Sequence, residues 1–443
     1  MSLSTPVTIR TLQRKLYTKA KQEPVFRFYA LYDKCYRADI LSHAYARVRS
    51  NQGAPGIDGV TCETIEASEG KAQFLSQLGA QLKQKTYRPD AVRRVWIPKP
   101  DGSKRPLGIP TIRDRVAQMA VKLVIEPILE ADFCEHSYGF RPKRSAHDAV
   151  DAVAGALALG HTHVIDADLS KYFDTIPHAK LLATVASRIS DGAILALIKR
   201  WLKAPVVEED DEGRRRHGGG KGNRRGTPQG GVISPLLANL YLHLLDRIWE
   251  RHEVARRHRA RLVRYADDLV ILCADKVEVP MTILRQVLQR LDLNLNETKT
   301  RVVNAQETPF NFLGFAFHLR RSRLSGKRYP HVEPSKRSVQ RIKDRVKQLT
   351  DRRLTPVPLP DLIDHLNPYL RGWANYFHHR NCSTVFSKVK MHVEERVRTH
   401  LRKRHKLVSR AQAYQRFPGH VLYARHGLFK LPTTAGWNRA HAG

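Results

Sequence analysis

Cysteine is scarce in this chain, with five residues in 443. No two of them form a Cys-x-x-Cys pair, so their spacing indicates neither a zinc site nor a disulfide framework. We therefore expect scattered, buried thiols in a reducing compartment. The five are Cys35, Cys62, Cys134, Cys273 and Cys382.

Long apolar runs are also missing. No segment approaches the roughly 18 consecutive apolar residues that span a bilayer, and neither end forms an amphipathic anchor. The first residues, Met1 to Pro6, have neither the charged nor the apolar region of a secretory signal. We expect a cytoplasmic protein with no membrane partner.

Acidic residues are few relative to basic ones, because 42 Asp and Glu stand against 77 Lys and Arg, a net charge of +35. Positive charges in such excess repel one another unless the protein binds a polyanion, and nucleic acid is the natural candidate. Hydrophobic residues make up 42% of the chain, so it can bury a core, and its length suits roughly three domains. These numbers predict a globular protein that binds nucleic acid.

Apolar patterning predicts a mixed architecture of helices and strands. Asp101-Gly102, between two extended runs, predicts a hairpin, and the turn-rich stretch 53–59 interrupts helices that reach to about residue 85. Because strands and helices alternate without a regular βαβ repeat, we predict an α+β fold with an antiparallel sheet. The expected helices are 112–130, 145–159, 178–203 and 235–252, and the expected strands are 164–169 and 261–272.

The composition changes after about residue 324, where three amphipathic, strongly basic segments follow one another. They indicate a separate helical domain and cover 334–353, 361–380 and 383–407. Residues 206–225 pass from acidic to basic and are predicted to form a solvated loop or hairpin of low order. The expected divisions are 1–85, 86–322, 323–410 and a short basic tail at 411–443.

Two adjacent acids lie in the middle of an apolar run, at Tyr265-Ala266-Asp267-Asp268. Bare charges cannot be buried there cheaply, so the pair needs a cation. Asp168 ends the apolar strand 164–169, with Asp166 on the same face, and it would complete a site for a hard divalent ion such as Mg²⁺. The alternative for each motif alone is ordinary structure: a turn at Asp267-Asp268 and a helix cap at Asp168.

Several motifs together are similar to those of reverse transcriptases encoded by bacterial group II introns. The Tyr-Ala-Asp-Asp motif resembles the reverse transcriptase active-site turn, and the residues after Asp168 resemble the preceding polymerase motif. The resemblance extends from 53–59 through 311–315 and resumes in a maturase-like thumb. The other motifs that carry it are Arg105-Pro106-Leu107-Gly108-Ile109-Pro110, Ser137-Tyr138-Gly139-Phe140-Arg141-Pro142, Gly226-Thr227-Pro228-Gln229-Gly230-Gly231, and Tyr369-Leu370-Arg371-Gly372-Trp373-Ala374-Asn375-Tyr376-Phe377.

This resemblance implies a right-hand polymerase, with fingers and palm followed by a helical thumb. It implies two Mg²⁺ ions, with Mn²⁺ as a substitute, held by Asp168, Leu169, Asp267 and Asp268. Two-metal sites place the ions about 3.5–4 Å apart, so that both the attacking and the leaving oxygen are stabilised. The carboxylates would be the catalytic residues, with Asp267 the more direct ligand of the adjacent pair.

The resemblance also assigns residues that contact nucleotide and RNA. Lys99 and Arg105 would close over the triphosphate. Phe173 would exclude a 2′-hydroxyl, Gln229 would lie against the nucleotide, and Lys299 would protonate pyrophosphate. The expected template and RNA contacts are Arg141, Arg371, Trp373, Tyr376 and His378, with Phe377 and His379 in the same group. The alternatives are exposed cations for Lys99, Arg105 and Lys299, and core packing for Phe173, Trp373 and Phe377.

The expected partners are group II intron RNA, an RNA template with a DNA or RNA primer, deoxynucleotides and target DNA, and a homodimer is left open. Association with the nucleoid is expected during integration. The stretch 410–443 lacks the paired cysteines and the His-Asn-His core of the nuclease that many relatives carry. We therefore expect no endonuclease, and at most a remnant that binds DNA.

Two other interpretations remain open at this point. The chain could be an RNA-binding splicing cofactor with a vestigial polymerase. It could also be a domesticated reverse transcriptase of a phage-defence or CRISPR-associated system, in which the enzyme is kept and the RNA partner differs.

Overall fold

The first part of the chain is helical, as the sequence predicts. The structure is a computed structural model that describes residues 3–98, 102, 104–209 and 214–437. Helices α1 (Val7–Gln22) and α2 (Tyr32–Cys35) are followed by α3 (Ala38–Ser50), and α4 (Cys62–Ala67) and α5 (Gly70–Lys83) follow the turn-rich stretch 53–59. Buried apolar residues of α1, α3 and α5 belong to the largest hydrophobic core of the molecule.

The predicted hairpin is formed by β1 (Val92–Pro98) and β2 (Lys104–Ile109), which pair antiparallel. Most of its tip lies outside the described residues. Helix α6 (Ile112–Glu130) begins where the Thr111 hydroxyl accepts a hydrogen bond from the Asp114 amide at 3.2 Å. Helix α7 (Ala146–Ala158) begins with a reciprocal cap between Ser145 and Asp148, which confirms the start predicted there.

A second hairpin completes the fingers sheet. The hairpin consists of β4 (Pro205–Glu209) and β5 (Arg215–Gly219). Between α7 and this hairpin lie β3 (His163–Ala167) and three helices, α8 (Tyr172–Thr175), α9 (His178–Ala186) and α10 (Gly192–Leu202). Strands β4 and β5 form the hairpin that the sequence allowed for in 206–225. It is an ordered part of a sheet with the order β2-β1-β4-β5, in which β1 and β4 run parallel. The sequence predicts an antiparallel palm sheet and gives no signal for this parallel pairing in the fingers.

The palm sheet is antiparallel throughout, as predicted. Helices α11 (Ser234–Arg251) and α12 (Val254–Arg257) precede strands β6 (Ala260–Tyr265) and β7 (Asp268–Cys273). Helix α13 (Glu278–Arg290) then connects β7 to β8 (Arg301–Asn304). These three strands and β3 form the palm sheet. The strand order is β6-β7-β3-β8. Strand β3 is therefore bonded on both sides, and its end lies next to the turn between β6 and β7.

A small sheet connects the palm to the helical domain. Strands β9 (Phe310–Phe312), β10 (Phe315–Arg321) and β11 (Arg328–Pro334) pair antiparallel in sequence order. The division expected between 322 and 323 falls in the turn between β10 and β11. The basic helices then follow as α14 (Lys336–Leu349), α15 (Leu359–Phe377) and α16 (Ser383–Arg404), close to the three predicted segments.

The stretch expected to form a separate basic tail is part of the helical domain. Helices α17 (Arg410–Arg416) and α18 (Gly419–Ala424) lie against α16, and Phe417, Leu422, Leu428 and Leu431 are buried in the same core as Val346, Leu366 and Phe386. Burial of apolar side chains explains this packing. The prediction of a distinct tail was wrong for the described part, which ends at Trp437.

The structure confirms the prediction of scattered, buried thiols. All five cysteines are buried with free thiols. Within the described residues, no helix combines the length and the apolar character that crossing a membrane requires.

Candidate active site

The turn between β6 and β7 carries the adjacent acids. Tyr265 pairs with Asp268, so Ala266 and Asp267 form a two-residue turn. Ala266 has φ +57°, a left-handed conformation that is uncommon for a residue with a side chain. Gly139 packs directly against it, because a Cβ atom at Gly139 would lie 2.3 Å from the Ala266 nitrogen. The Gly-Phe-Arg-Pro loop therefore supports the back of the turn.

Asp168 lies beside this turn because of the strand register. Ala167 is the partner of Leu269 across β3 and β7, and Asp168 follows Ala167 by one residue. A neighbouring segment fixes its main chain, since the Asn296 amide donates to the Asp168 carbonyl at 2.8 Å. The Thr300 hydroxyl accepts from the Asp168 amide at 3.4 Å. Acids separated by about a hundred residues are thus brought together at one end of the palm sheet.

The carboxylates raise one another's pKa values. The surrounding protein restricts hydration of Asp268, and the charges of Asp267, Asp168 and Asp166 add to this, so its pKa rises to about 6 although water reaches the side chain. Burial, opposed by Arg301 and reinforced by Asp168, raises the pKa of Asp166 to about 6. Burial also raises the pKa of Asp267.

This donor set suits a hard divalent cation. Carboxylate oxygens are the preferred ligands of Mg²⁺, and a cation among them would offset the repulsion that raises their pKa values. Asp168, Asp267 and Asp268 supply such oxygens from two adjacent backbone segments. Leu169, the fourth expected ligand, is buried beside Asp168 and has only a main-chain oxygen to offer.

A cavity of about 790 Å³ opens between the fingers and the palm in front of these acids. Its wall includes Asp168, Leu169 and Asp267, while Asp268 is not among the lining residues. Lys299 reaches into it with its Nζ 4.0 Å from Asp168 Oδ2. Four residues expected to contact nucleotide therefore share this cavity with the acids, namely Arg105, Phe173, Gln229 and Lys299. Lys99, the other expected clamp residue, lies outside the described residues.

The Gly-Thr-Pro-Gln-Gly-Gly loop fits tightly between fingers and palm. Gly230 has φ +113°, and a Cβ atom there would lie 2.3 Å from the Gly108 carbonyl oxygen, so only glycine fits. The Gly108 amide donates to the Gln229 carbonyl at 2.5 Å, and the Thr227 amide donates to the Phe173 carbonyl at 2.7 Å. The loop thereby fixes Gln229 and Phe173 relative to each other on the cavity wall.

A buried ion pair behind the turn was missed by the sequence reasoning. Arg264 and Asp246 are both fully buried, and the Arg264 Nε donates to Asp246 Oδ1 at 2.9 Å. The Arg264 Nη1 donates to Asn239 Oδ1 at 3.0 Å and to the Ala266 carbonyl at 2.9 Å. Burial alone would favour a neutral acid, but Arg264 holds the pKa of Asp246 well below its usual range. The only sequence signal was an arginine inside an apolar strand, one residue before the motif.

Arg141 does not occupy the position predicted for it. Its side chain is 4% exposed and its Nη2 lies 2.7 Å from Glu130 Oε1. It also donates to the Cys134 and Ser137 carbonyls at 2.5 Å each. The prediction that Arg141 contacts the template was therefore wrong, because every edge of the guanidinium is used to hold the loop that supports the catalytic turn.

The thumb residues divide in a similar way. Tyr376 donates to the Leu313 carbonyl at 3.0 Å, and burial together with nearby Tyr265 and Asp268 raises its pKa to about 12. Trp373 packs on Phe386, with ring centroids 4.6 Å apart. Both aromatics are half-buried, and the packing of Trp373 agrees with its packing alternative, while RNA contact by either side chain stays a prediction.

The other members of the thumb group differ in exposure. His379 is buried and hydrogen-bonded to Asp151 at 2.9 Å, and Phe377 packs on Phe315. His378 is half-buried, and its Nε2 lies 3.1 Å from the Thr434 carbonyl. Arg371 is exposed above the ring of Phe429. Arg371 is therefore the member of the group whose charge remains available to RNA.

Two family models match most of this architecture. The model described as "Reverse transcriptase (RNA-dependent DNA polymerase)" matches residues 97–317. The model described as "Group II intron, maturase-specific domain" matches residues 339–417. The first covers most of the fingers hairpin and the palm with its carboxylates, and the second covers most of the helical domain.

Individual relatives agree with these matches. The chain is 35% identical to "Protein YkfC" of Escherichia coli strain K12 over 367 residues, which is 74% of this chain and 93% of that protein. It is 31% identical to "Group II intron-encoded protein LtrA" of Lactococcus lactis, covering 71% of this chain and 61% of LtrA. It is 28% identical to the "Putative COX1/OXI3 intron 1 protein" of Saccharomyces cerevisiae, covering 43% of that protein. The chain thus spans about three fifths of LtrA.

Proposed function

Because the chain belongs to the family of group II intron-encoded reverse transcriptases with a maturase domain, we propose that it performs two coupled activities. It copies RNA into DNA, and it binds its intron RNA to promote splicing and retrotransposition. The chain is an RNA-directed DNA polymerase, and enzymes of this class depend on divalent metal ions. Two Mg²⁺ ions, with Mn²⁺ as a substitute, are our proposal for this chain.

The observation that carries the proposal is the composition of the fingers–palm cavity. Asp168 and Asp267 share its wall with Arg105, Phe173 and Lys299, so acids and cations line the same cavity. Bound Mg²⁺ would neutralise the phosphates and activate the 3′-hydroxyl of the primer. A cavity that holds a metal-binding acid pair together with cations matches the needs of nucleotidyl transfer from a triphosphate.

Each predicted site residue has a proposed task. Asp168, Leu169, Asp267 and Asp268 hold the metal, with Asp267 the direct ligand of the adjacent pair. Arg105, with Lys99, binds the triphosphate, and Phe173 packs under the sugar and disfavours a 2′-hydroxyl. Gln229 contacts the nucleotide, and Lys299 is close enough to the acids to donate a proton to the leaving pyrophosphate.

RNA binding is proposed for the exposed cations of α1 and of the thumb. Arg10, Arg14 and Lys15 are exposed on α1, as are Arg337 and Arg341 on α14, and Arg371 adds a cation on α15. Phosphate neutralisation by such residues supplies most of the affinity for RNA. Target DNA, a primed RNA template and deoxynucleotides are the further proposed partners, with a homodimer as one assembly, in the cytoplasm and on the nucleoid during integration.

The substitution Asp267→Ala tests the polymerase directly. We expect primer extension on RNA to fall at least about 100-fold, because a metal-binding charge is lost at the reacting phosphate. Intron RNA binding, measured by filter binding, should stay within about twofold because Asp267 lies outside the basic surfaces. Equal loss of both activities would contradict the separation of the two sites.

The same experiment separates the alternatives. A splicing cofactor with a vestigial polymerase would give no cDNA even with the unsubstituted chain, optimal primer and Mg²⁺. A domesticated enzyme would extend primers, but the RNA that copurifies with it would not be a structured intron. Sequencing of that RNA therefore belongs with the extension assay.

A further inference from the structure

Three side chains with metal-binding atoms meet at a place outside the fingers–palm cavity. Cys134 and His136 lie in the loop after α6, and Glu250 lies near the end of α11. One ligand atom from each of the three lies within 4.8 Å of the others. The His136 Nδ1 is 3.7 Å from Glu250 Oε1. The His136–Glu250 separation is close to that between neighbouring tetrahedral ligands of one ion bound at about 2.0–2.3 Å.

The chemistry of the three groups favours Zn²⁺ over Mg²⁺. A thiolate and an imidazole are soft or borderline ligands, whereas Mg²⁺ is bound almost entirely through oxygen. Cys134 is buried, His136 is half-buried and Glu250 is exposed. An ion would therefore be held from inside and remain open to water on one side, which leaves a fourth position for water and a path for entry.

The second nitrogen of His136 supports this assignment independently. Its Nε2 is buried, has no hydrogen-bond partner among the described residues, and lies 3.6 Å from Asp246 Oδ1. A metal-bound histidine usually donates its other ring N–H to a carboxylate, which fixes the ring orientation. Asp246 is in the position of that carboxylate, and a small shift of the ring would complete the hydrogen bond.

The charges nearby are also compatible with a divalent cation. Asp246 and Glu250 are acids, and Arg264 is the buried cation that pairs with Asp246. With Cys134 as a thiolate, the negative charges of Cys134, Asp246 and Glu250 would exceed the single positive charge of Arg264 by two. A divalent cation would therefore make the net charge of the group zero. His243 is a further neighbour, with its Nδ1 3.8 Å from the Cys134 sulfur.

We propose that Cys134, His136 and Glu250 bind one Zn²⁺ ion, with Asp246 orienting His136, and that this ion fixes the loop supporting the catalytic turn. The thiol proton of Cys134 leaves as the metal–sulfur bond forms. The His136 carbonyl accepts from the Arg264 amide at 2.9 Å. The ion is therefore connected to the Ala266 carbonyl through His136, Asp246 and Arg264.

Metal analysis of the full-length, tag-free protein tests the site. The protein is dialysed with excess Mg²⁺, which keeps the catalytic carboxylates occupied, and zinc is then measured by mass spectrometry. We expect about one zinc ion per chain, falling to less than about a tenth in Cys134→Ser and in His136→Gln. Replacement by Co²⁺ should give a thiolate-to-metal absorption band that disappears in Cys134→Ser.

Two control variants assign the ion. Cys62→Ser removes a buried thiol that lies in no group of metal-binding side chains in the described chain, and zinc should stay at about one per chain. His331→Gln tests a second group, His318, His331 and Glu333, in which Arg320 already lies 3.6 Å from Glu333. Loss of zinc in His331→Gln with retention in Cys134→Ser would overturn the proposal.

A third variant keeps the proposal testable if Cys134→Ser fails to fold. Glu250 is exposed, so Glu250→Gln should fold normally and bind zinc at least about 10-fold more weakly. A zinc-selective chelator, with Mg²⁺ kept saturating, should lower primer extension by the unsubstituted chain and leave RNA binding unchanged. Protein with no zinc as purified, and no cobalt absorption on titration, would refute the site whatever the polymerase activity.

Discussion

Asp268 is the carboxyl group on which the acid cluster acts most strongly. The surrounding protein and the charges of Asp267, Asp168 and Asp166 raise its pKa to about 6 from 3.8. Because this folded-state pKa is above the unfolded value, the metal-free protein holds an extra proton between about pH 4 and pH 6. The protonated Asp268 side chain adds to the free energy of unfolding at low pH, and this contribution is lost as the pH rises through about 6.

Protons and Mg²⁺ therefore compete for the cluster. We predict that Mg²⁺ affinity increases as the pH rises from about 4 to about 6 and levels off above that, since only ionised carboxylates bind the ion. Calorimetric titration of the metal-free protein at a series of pH values measures this. Asp268→Asn should flatten the dependence, with Asp166 responsible for the remainder. Affinity that does not change with pH in this window would show that the cluster is not the Mg²⁺ site.

The surroundings of some single residues could not be predicted from the sequence. Arg105 and Arg141 both lie in family motifs and both predict nucleic-acid contact, yet Arg105 faces the cavity while Arg141 is buried against Glu130. Only long-range packing distinguishes them, because a motif gives the residue type without its neighbours. The same holds for Cys134 and His136, whose spacing predicts no metal site until α11 brings Glu250 beside them.

The β6–β7 hairpin depends on one ion pair for the position of its turn. Arg264→Met should lower the free energy of unfolding by about 3–5 kcal/mol, because Asp246 would be left buried without its partner. The double variant Arg264→Met/Asp246→Leu should recover much of this stability. It should still extend primers about 100-fold more slowly, since no donor holds the Ala266 carbonyl and the turn is misplaced.

Arg259→Met is the matched control for this prediction. Arg259 precedes the same strand, but its ion pair with Asp275, at 3.1 Å, is exposed on both sides. Its loss should change stability by less than about 0.5 kcal/mol. Urea denaturation and single-turnover extension measure the two effects separately. Full recovery of the extension rate in the double variant would mean that Arg264 only stabilises the fold.

Elements with local signals were predicted well, and those that depend on distant pairing were not. Helix α6 has the predicted bounds because Thr111 caps its start and its apolar pattern is continuous. The local pattern of 206–225 predicts only a loop or hairpin of low order, because the place of strand β4 is set by parallel pairing of Val206 with Val92, more than a hundred residues away. The palm strands were predictable because their apolar runs end at the acids themselves.

The whole molecule separates its charges by function. Acids are concentrated at the palm end of the cavity, while cations such as Arg337, Arg341 and Lys347 are exposed on α14 and take part in no ion pair shown by the described residues. The total of +35 was evident from the sequence, but its distribution was not. An even spread of charge would bind RNA without orientation, whereas a concentration of cations on the thumb would favour one orientation of bound RNA.

The salt dependence of RNA binding tests this distribution. Replacing Arg337, Arg341 and Lys347 with Gln should reduce the slope of log Kd against log salt by about 0.9 for each lost duplex phosphate contact. Filter binding of intron RNA over a range of KCl concentrations gives the slope. Extension of a short primer–template at saturating concentration should change little, because the palm is untouched. Arg256→Gln/Arg257→Gln removes exposed cations that already pair with Glu253, so its slope should match the unsubstituted chain. Equal slopes for all three proteins would place the RNA on another surface.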